Sequence, residues 1–129
     1  MPKGVKDMLA EANAAVTSIT GSQAKALIGS PDVVFLDVRD GPELAKTGTI
    51  PGAIHVSRGM LEFAADLESP YHKPALDRAK RVIVNCGSGG RSVLACKTLL
   101  EMGYPNVVNL AGGMNGWLQA GLPTEPVKE

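Results

Sequence analysis

One stretch of the chain concentrates reactive chemistry. Cys86-Gly87-Ser88-Gly89-Gly90-Arg91-Ser92 follows directly on the apolar run RVIVN. Glycine tolerates the left-handed conformations that let successive N–H groups turn inward as a cradle, and three of the four residues between Cys86 and Arg91 are glycine. A helix beginning near Arg91 would add its own unpaired N–H groups and the positive end of its dipole. Arg91 places a permanent cation at the same rim. A cysteine facing that arrangement has its thiolate favoured over its thiol, which makes it the better nucleophile near neutral pH. The same geometry welcomes an incoming anion, so one loop would both activate the nucleophile and hold its substrate. Two plainer readings compete. A lone cysteine at a strand end is often a small buried hydrophobe, and a glycine-rich strand-to-helix turn alone can serve as a phosphate site. Cysteine, three glycines, arginine and a following helix together favour the reactive reading.

The elements that must position this loop alternate along the chain. Residues 4–16 form an opening helix with an apolar stripe of Val5, Met8, Leu9, Ala12 and Val16. SQAKALIG reads as a second short helix with Ser22 as N-cap and Gly29 as its stop. VVFLDV (33–38) and RVIVNC (81–86) are short, apolar and without alternation, as expected of strands covered on both faces. A one- or two-turn helix before Gly48, a short strand at 54–56, a helix over 58–67, a helix from Arg91 to Gly103 and a strand at 107–110 complete the pattern. This alternation specifies an α/β layer fold with a mostly parallel sheet. Ligands of such sheets bind beyond the carboxyl ends of the strands, which is where Asp37, Arg39 and Cys86 fall.

Composition narrows the function classes. With 129 residues, 44% apolar and 20% charged, the chain suits one soluble globular domain. Lys+Arg and Asp+Glu are 13 each, so no polybasic footprint argues for nucleic acid. The apolar stretches are too short for a membrane span. The opening Met-Pro-Lys-Gly is not followed by the apolar core of a secretory signal, and two cysteines are too few for a disulfide scaffold. A reduced, cytoplasmic setting is the expectation. Charge is uneven along the chain: residues 1–70 carry six Lys/Arg against nine Asp/Glu, residues 71–129 seven against four. The basic cluster Lys73, Arg78, Lys80, Arg81, Arg91 and Lys97 is either a solvated face or a local positive field for a small anion.

At these residues the sequence resembles the rhodanese family, from about Ile19 to Pro123. LDVRD (36–40) with Glu43 and then GTIPGAIHV (48–56) match the family's first signature. VIVNCGSGGRS (82–92) matches its active-site strand and loop, and LAGGMNGWLQAGLP (110–123) its closing segment. RGMLEFAADLESPYHKP (58–74) looks like one subgroup of small bacterial single-domain members. The resemblance implies a rhodanese-like three-layer α/β fold: a single domain over 1–129 with a central, mainly parallel five-stranded sheet and helices on both faces. Residues 1–17 would be an N-terminal helical extension and 124–129 a tail.

The implied activity is sulfur transfer without a metal or other cofactor. Cys86 would take a sulfane sulfur from a small anionic donor such as thiosulfate, or from a persulfide, and carry it as its own persulfide. It would then release that sulfur to cyanide, a thiol or a protein cysteine, a ping-pong course. Gly87, Ser88, Gly89, Gly90 and Ser92 would steady the sulfur, and Arg91 would stabilise the loop and attract the donor. Related phosphatases and arsenate reductases place five residues between cysteine and arginine. Here there are four, a smaller cradle suited to one sulfur atom. Where many sulfurtransferases carry Arg or Lys after the cysteine, this chain has Gly87, so modest turnover of thiosulfate is expected. The competing classes are a non-enzymatic sulfur-carrier or interaction module and a small phosphatase or arsenate reductase-like enzyme.

The other polar residues are weighed individually. Asp37 and Arg39 are expected to pair and fasten the loops at the strand ends, with Glu43 as another partner for an arginine. Their alternative role is support of the cysteine loop. Arg58 either reaches the mouth of the site or is a surface arginine. His55 is expected to make a structural hydrogen bond rather than act as a base. Cys96 lies about 7–8 Å up the helix from Arg91 at about 1.5 Å per residue, on the apolar stripe with Val93, Leu99 and Leu100, as a core residue would. Two cysteines and two histidines at these spacings match no zinc pattern. Trp117 reads as the anchor of a helix to the sheet.

Overall fold

The computed structural model describes residues 2–127. Five strands form one all-parallel sheet: β1 Thr17–Ile19, β2 Val33–Asp37, β3 Ile54–His55, β4 Arg81–Asn85 and β5 Val107–Leu110, in the order β1-β5-β4-β2-β3. The central strands are the two apolar runs read from the sequence. They run in register from Val33 opposite Arg81 to Asp37 opposite Asn85, so β2 and β4 end at the same level.

Because strand side chains alternate between faces, the two central strands divide the core into two layers. Leu36, Val82 and Val84 face α1 Val5–Ala15, α4 Leu61–Ala65 and α5 Gly90–Glu101, packing with Ala12, Leu61, Val93, Cys96 and Leu99. Phe35, Ile83, Val108 and Leu110 face α2 Gly21–Lys25 and α6 Gly113–Gln119, packing with Ala24, Met114 and Trp117. A further helix, α3 Gly41–Thr47, links β2 to β3. Trp117 is 1% exposed, and its indole N–H donates to the Pro123 carbonyl at 2.7 Å. It anchors α6 to the sheet as expected.

Several boundaries differ from the sequence reading. Helix α2 is capped by Thr20 rather than Ser22: the Thr20 hydroxyl accepts from Gln23 N–H while the Gln23 side chain accepts from Thr20 N–H. This reciprocal box satisfies two orphan amides, which Ser22 would not. The stretch expected as a helix over 58–67 is a 3-10 turn, Arg58–Met60, followed by the five-residue α4. β1 is a strand that the hydrophobic pattern leaves unmarked. Of its residues, only Ile19 is buried. The opening helix lies on α5, with Ala12 fully buried and Leu9 packed against the same core. In the C-terminal segment Glu125 exchanges backbone hydrogen bonds with Thr49, both 2.9 Å. Lys128 and Glu129 of the expected tail lie outside the described residues.

Candidate active site

The chain leaves β2 toward one edge of the sheet, to β3, and leaves β4 toward the other, to β5. Connections that diverge in this way open a crevice at the carboxyl ends of the two strands. Cys86 is the first residue beyond β4 at that crevice and is 1% exposed. The backbone then curls back on the cysteine. Gly89 has φ +111°, a conformation L side chains rarely adopt, and donates its N–H to Cys86 Sγ at 3.0 Å. Helix α5 starts at the next residue.

Ionisation of Cys86 is governed by two opposed effects. Burial pushes the thiol up. Hydrogen bonds from the Ser92 hydroxyl and from the backbone N–H groups of Ser92, Gly89 and Ser88 outweigh it and bring the thiol below its ordinary 9.0. Ser92 is fully buried, and its Oγ lies 2.6 Å from Asn109 Oδ1 and 3.2 Å from the Gly89 carbonyl. Its one hydroxyl hydrogen therefore has neutral acceptors to serve while Cys86 is a thiol and a charged one once the thiolate forms. The four-residue loop closes tightly on its sulfur, which explains the small exposure of Cys86.

Arg91 is not an unpaired cation. Its Nη1 and Nη2 donate to Glu43 Oε1 and Oε2 at 2.7 and 2.8 Å, a bidentate bridge across the crevice from α5 to α3. Hydrogen bonding to Arg91 holds the Glu43 carboxyl down at about 2, and the same bonding to Glu43 raises Arg91. A Cβ on Gly87 would stand 3.3 Å from Arg91 Nη2 and 3.8 Å from Glu43 Oε2, so this pair lies folded over the loop. The basic cluster, open to reading as a solvated face or as a local positive field, has local partners at four of its six residues. Besides Arg91, Lys73 Nζ bonds the His55 carbonyl, Lys97 pairs with Glu101 and Arg78 stacks over the Tyr104 ring.

The supporting residues sort clearly. Asp37 and Arg39 are 0% and 2% exposed and form a bidentate pair, Nε donating to Oδ1 and Nη2 to Oδ2. Arg39 also donates to Thr47 Oγ1 and the Gly48 carbonyl, and Thr49 Oγ1 donates to Asp37, so the pair fastens the α3–β3 connection. Arg58 is held by Glu62 at 3.0 Å and by Thr98 Oγ1 at 3.2 Å, along α5 rather than at the cysteine loop. His55 makes a structural bond, Nε2 to the Arg39 carbonyl at 2.6 Å. Cys96 is fully buried, and burial, then the charge of Cys86, pushes its thiol up.

Two contributors escaped sequence reasoning. Asn109 on β5 orients Ser92, and its only signal was a polar residue inside the buried run VVNL. The start of α6 touches the loop itself: Met114 N–H donates to the Cys86 carbonyl at 2.8 Å and Asn115 N–H to the Gly87 carbonyl at 2.9 Å. A cleft of about 1360 Å³ lies elsewhere, between α3, β3 and residues 124–127.

Comparison with known proteins agrees with this geometry. Residues 20–120 match the model of the rhodanese-like domain. A sulfurtransferase of Allochromatium vinosum is 32% identical, covering 79% of this chain and 87% of its own. The thiosulfate sulfurtransferase GlpE of Actinobacillus succinogenes is 35% identical, covering 86% and 92%. Among solved structures, a protein of unknown function from Rhodopseudomonas palustris, described as a possible tyrosine phosphatase, superposes with a TM-score of 0.92. It is 42% identical and covers 97% of this chain and 96% of its own. The polysulfide-sulfur transferase homodimer of Wolinella succinogenes superposes with a TM-score of 0.75 at 34% identity, covering 96% and 88%. A parallel five-stranded sheet, a cysteine loop at the end of its central strand and sulfurtransferase relatives over most of the length converge: the chain belongs to the rhodanese family and is of sulfurtransferase kind.

Proposed function

We propose that the protein moves a sulfane sulfur through a persulfide on Cys86. The observation that carries this reading is a glycine-rich loop folded back on one sulfur, with the Gly89 N–H donating to it at 3.0 Å and the thiol lowered against its burial. In the first step the Cys86 thiolate attacks the outer sulfur of the donor. The new S–S bond forms as the donor's own bond to that sulfur breaks, and the leaving group departs with the electron pair, as sulfite from thiosulfate or as a thiolate from a persulfide. In the second step cyanide or a thiol attacks the outer sulfur and Cys86 leaves as thiolate. Net oxidation is zero. The loop amides, already oriented, stabilise the negative sulfur at each stage without reorganising.

The donor follows from charge. Arg91 is balanced by Glu43, and Gly87 brings no second cation, so a dianion such as thiosulfate finds no unpaired positive charge on the loop. A singly charged persulfide, free or on a protein, is the better match, and a reduced cytoplasmic setting suits two free cysteines. Thiocyanate formation from cyanide, measured with thiosulfate and with cysteine persulfide as donors, tests the reading. Ping-pong kinetics, loss of turnover in Cys86→Ser and a higher kcat/KM for the persulfide are expected. Hydrolysis of an aryl phosphate with no sulfur transfer would replace this reading with a phosphatase. Sulfur accepted only from a persulfidated protein, with no turnover, would make the protein a carrier.

A further inference from the structure

The contact between α6 and the cysteine loop is closer than a side chain permits. Gly113, the first residue of α6, has φ +57°. A Cβ there would stand 2.6 Å from the carbonyl oxygens of both Cys86 and Gly87 and 2.8 Å from Gly87 C. All three are backbone atoms, which cannot swing aside as a flexible side-chain tip does. With hydrogen in place of Cβ, the first turn of α6 presses on the loop, and its Met114 and Asn115 N–H groups take the two carbonyls. These amides belong to the donors that a helix start leaves without intrahelical partners.

A trans peptide points its C=O and N–H in opposite directions, and no peptide among the described residues is cis. Once Asn115 holds the Gly87 carbonyl, the N–H of the same peptide, that of Ser88, faces the other way. It is one of the amides that stabilise the Cys86 thiolate. Met114 holds the preceding peptide, at the nucleophile itself, by the Cys86 carbonyl.

We propose that the first turn of α6, admitted by the bare Cα of Gly113, is a positioning element for the nucleophile: by holding the outer carbonyls of Cys86 and Gly87 it aims the loop amides at the sulfur. Gly113 and Asn115 touch no substrate and act through the loop. The inference goes beyond the proposed sulfur transfer and rests on Cys86 being its nucleophile, but its readout, ionisation of the thiol, is independent of turnover.

Two variants and a control test it. Gly113→Ala inserts the clashing Cβ. Asn115→Pro removes the N–H that reaches the Gly87 carbonyl and sets the ring Cδ in its place, in the first turn of α6 and on a residue whose side chain is exposed. Gly116→Ala, whose Cβ would meet nothing within 4 Å, is the control. The rate of iodoacetamide alkylation of Cys86, resolved by peptide mass, is followed against pH, with circular dichroism to verify the fold. Both variants should raise the apparent thiol pKa by about one unit, an approximately tenfold slower reaction below that pKa, while the control matches wild type. In the wild-type protein the Met114 and Asn115 amide resonances should shift with the titration of Cys86, a measurement that stands if a variant fails to fold. A folded Asn115→Pro protein with an unchanged thiol pKa would overturn the proposal, as would amide resonances that do not follow the titration.

Discussion

Ser92→Ala isolates one hydrogen bond of the cradle. The hydroxyl lowers the Cys86 thiol against burial more than any one loop amide does, and it is fully enclosed, so water cannot replace it. A hydrogen bond to a charged group contributes about 1.5–3 kcal/mol, and one pKa unit corresponds to about 1.4 kcal/mol. Loss of the hydroxyl should therefore raise the Cys86 pKa by about one to two units. While Cys86 is a thiol the one hydroxyl hydrogen is shared between Asn109 and the Gly89 carbonyl, and its loss costs about 1 kcal/mol in stability, which leaves the protein folded. The sign of the pH dependence follows. A thiol lowered in the folded state contributes stability that is fully present above its unfolded pKa and lost as pH falls through the folded one, so the variant should lose part of this alkaline contribution. The assay is the second-order alkylation rate of Cys86 from pH 5 to 10. An unchanged pKa would refute the reasoning, since the hydroxyl hydrogen would then remain with Asn109 whatever the charge on sulfur.

Two further substitutions probe the framework around the loop. Glu43→Gln removes the charge partner of Arg91; both side chains are more than a third exposed, so stability should change by no more than about 1 kcal/mol while sulfur transfer falls through a looser loop. Because Glu43 titrates at about 2, below its ordinary 4.5, the pair's contribution is complete above the ordinary value and lost only as pH falls toward 2; the acidic limb of the wild-type rate profile should therefore report Cys86 and not Glu43. Asp37→Ala strands the buried Arg39 guanidinium and should cost roughly 3–5 kcal/mol, read as a lower urea midpoint. A midpoint within error of wild type would deny the pair its role in fastening the α3–β3 connection.

The parts of the site legible in the sequence are those whose signal is local. RVIVN followed by a glycine-rich turn identified β4 and the Cys86 loop because β-branched runs and glycine clusters carry their meaning within a few residues. VVNL, a short β-branched run, coincides residue for residue with β5. The missing pieces depend on partners distant in the chain. Glu43 and Arg91 are 48 positions apart, and the spacing of neither reveals that one neutralises the other. β1 became a strand only by pairing with β5, since Thr17 and Ser18 offer no apolar pattern. Gly113 lies in the segment that resembles the family's closing motif, but nothing local to it shows that it meets the carbonyls of Cys86 and Gly87. The Thr20 cap, by contrast, was readable: Thr-x-x-Gln is a capping box, and Ser22 drew attention from it only by standing nearer the apolar residues.

Intact-mass spectrometry tests the persulfide most directly. The wild-type protein, mixed with a persulfide or thiosulfate donor, should gain the mass of one sulfur atom. Peptide mapping should locate it on Cys86 and leave Cys96, whose thiol burial pushes up, unmodified. Cyanide should then remove the added mass and yield thiocyanate. A protein whose mass is unchanged by either donor, or whose added sulfur maps to Cys96, would contradict the account.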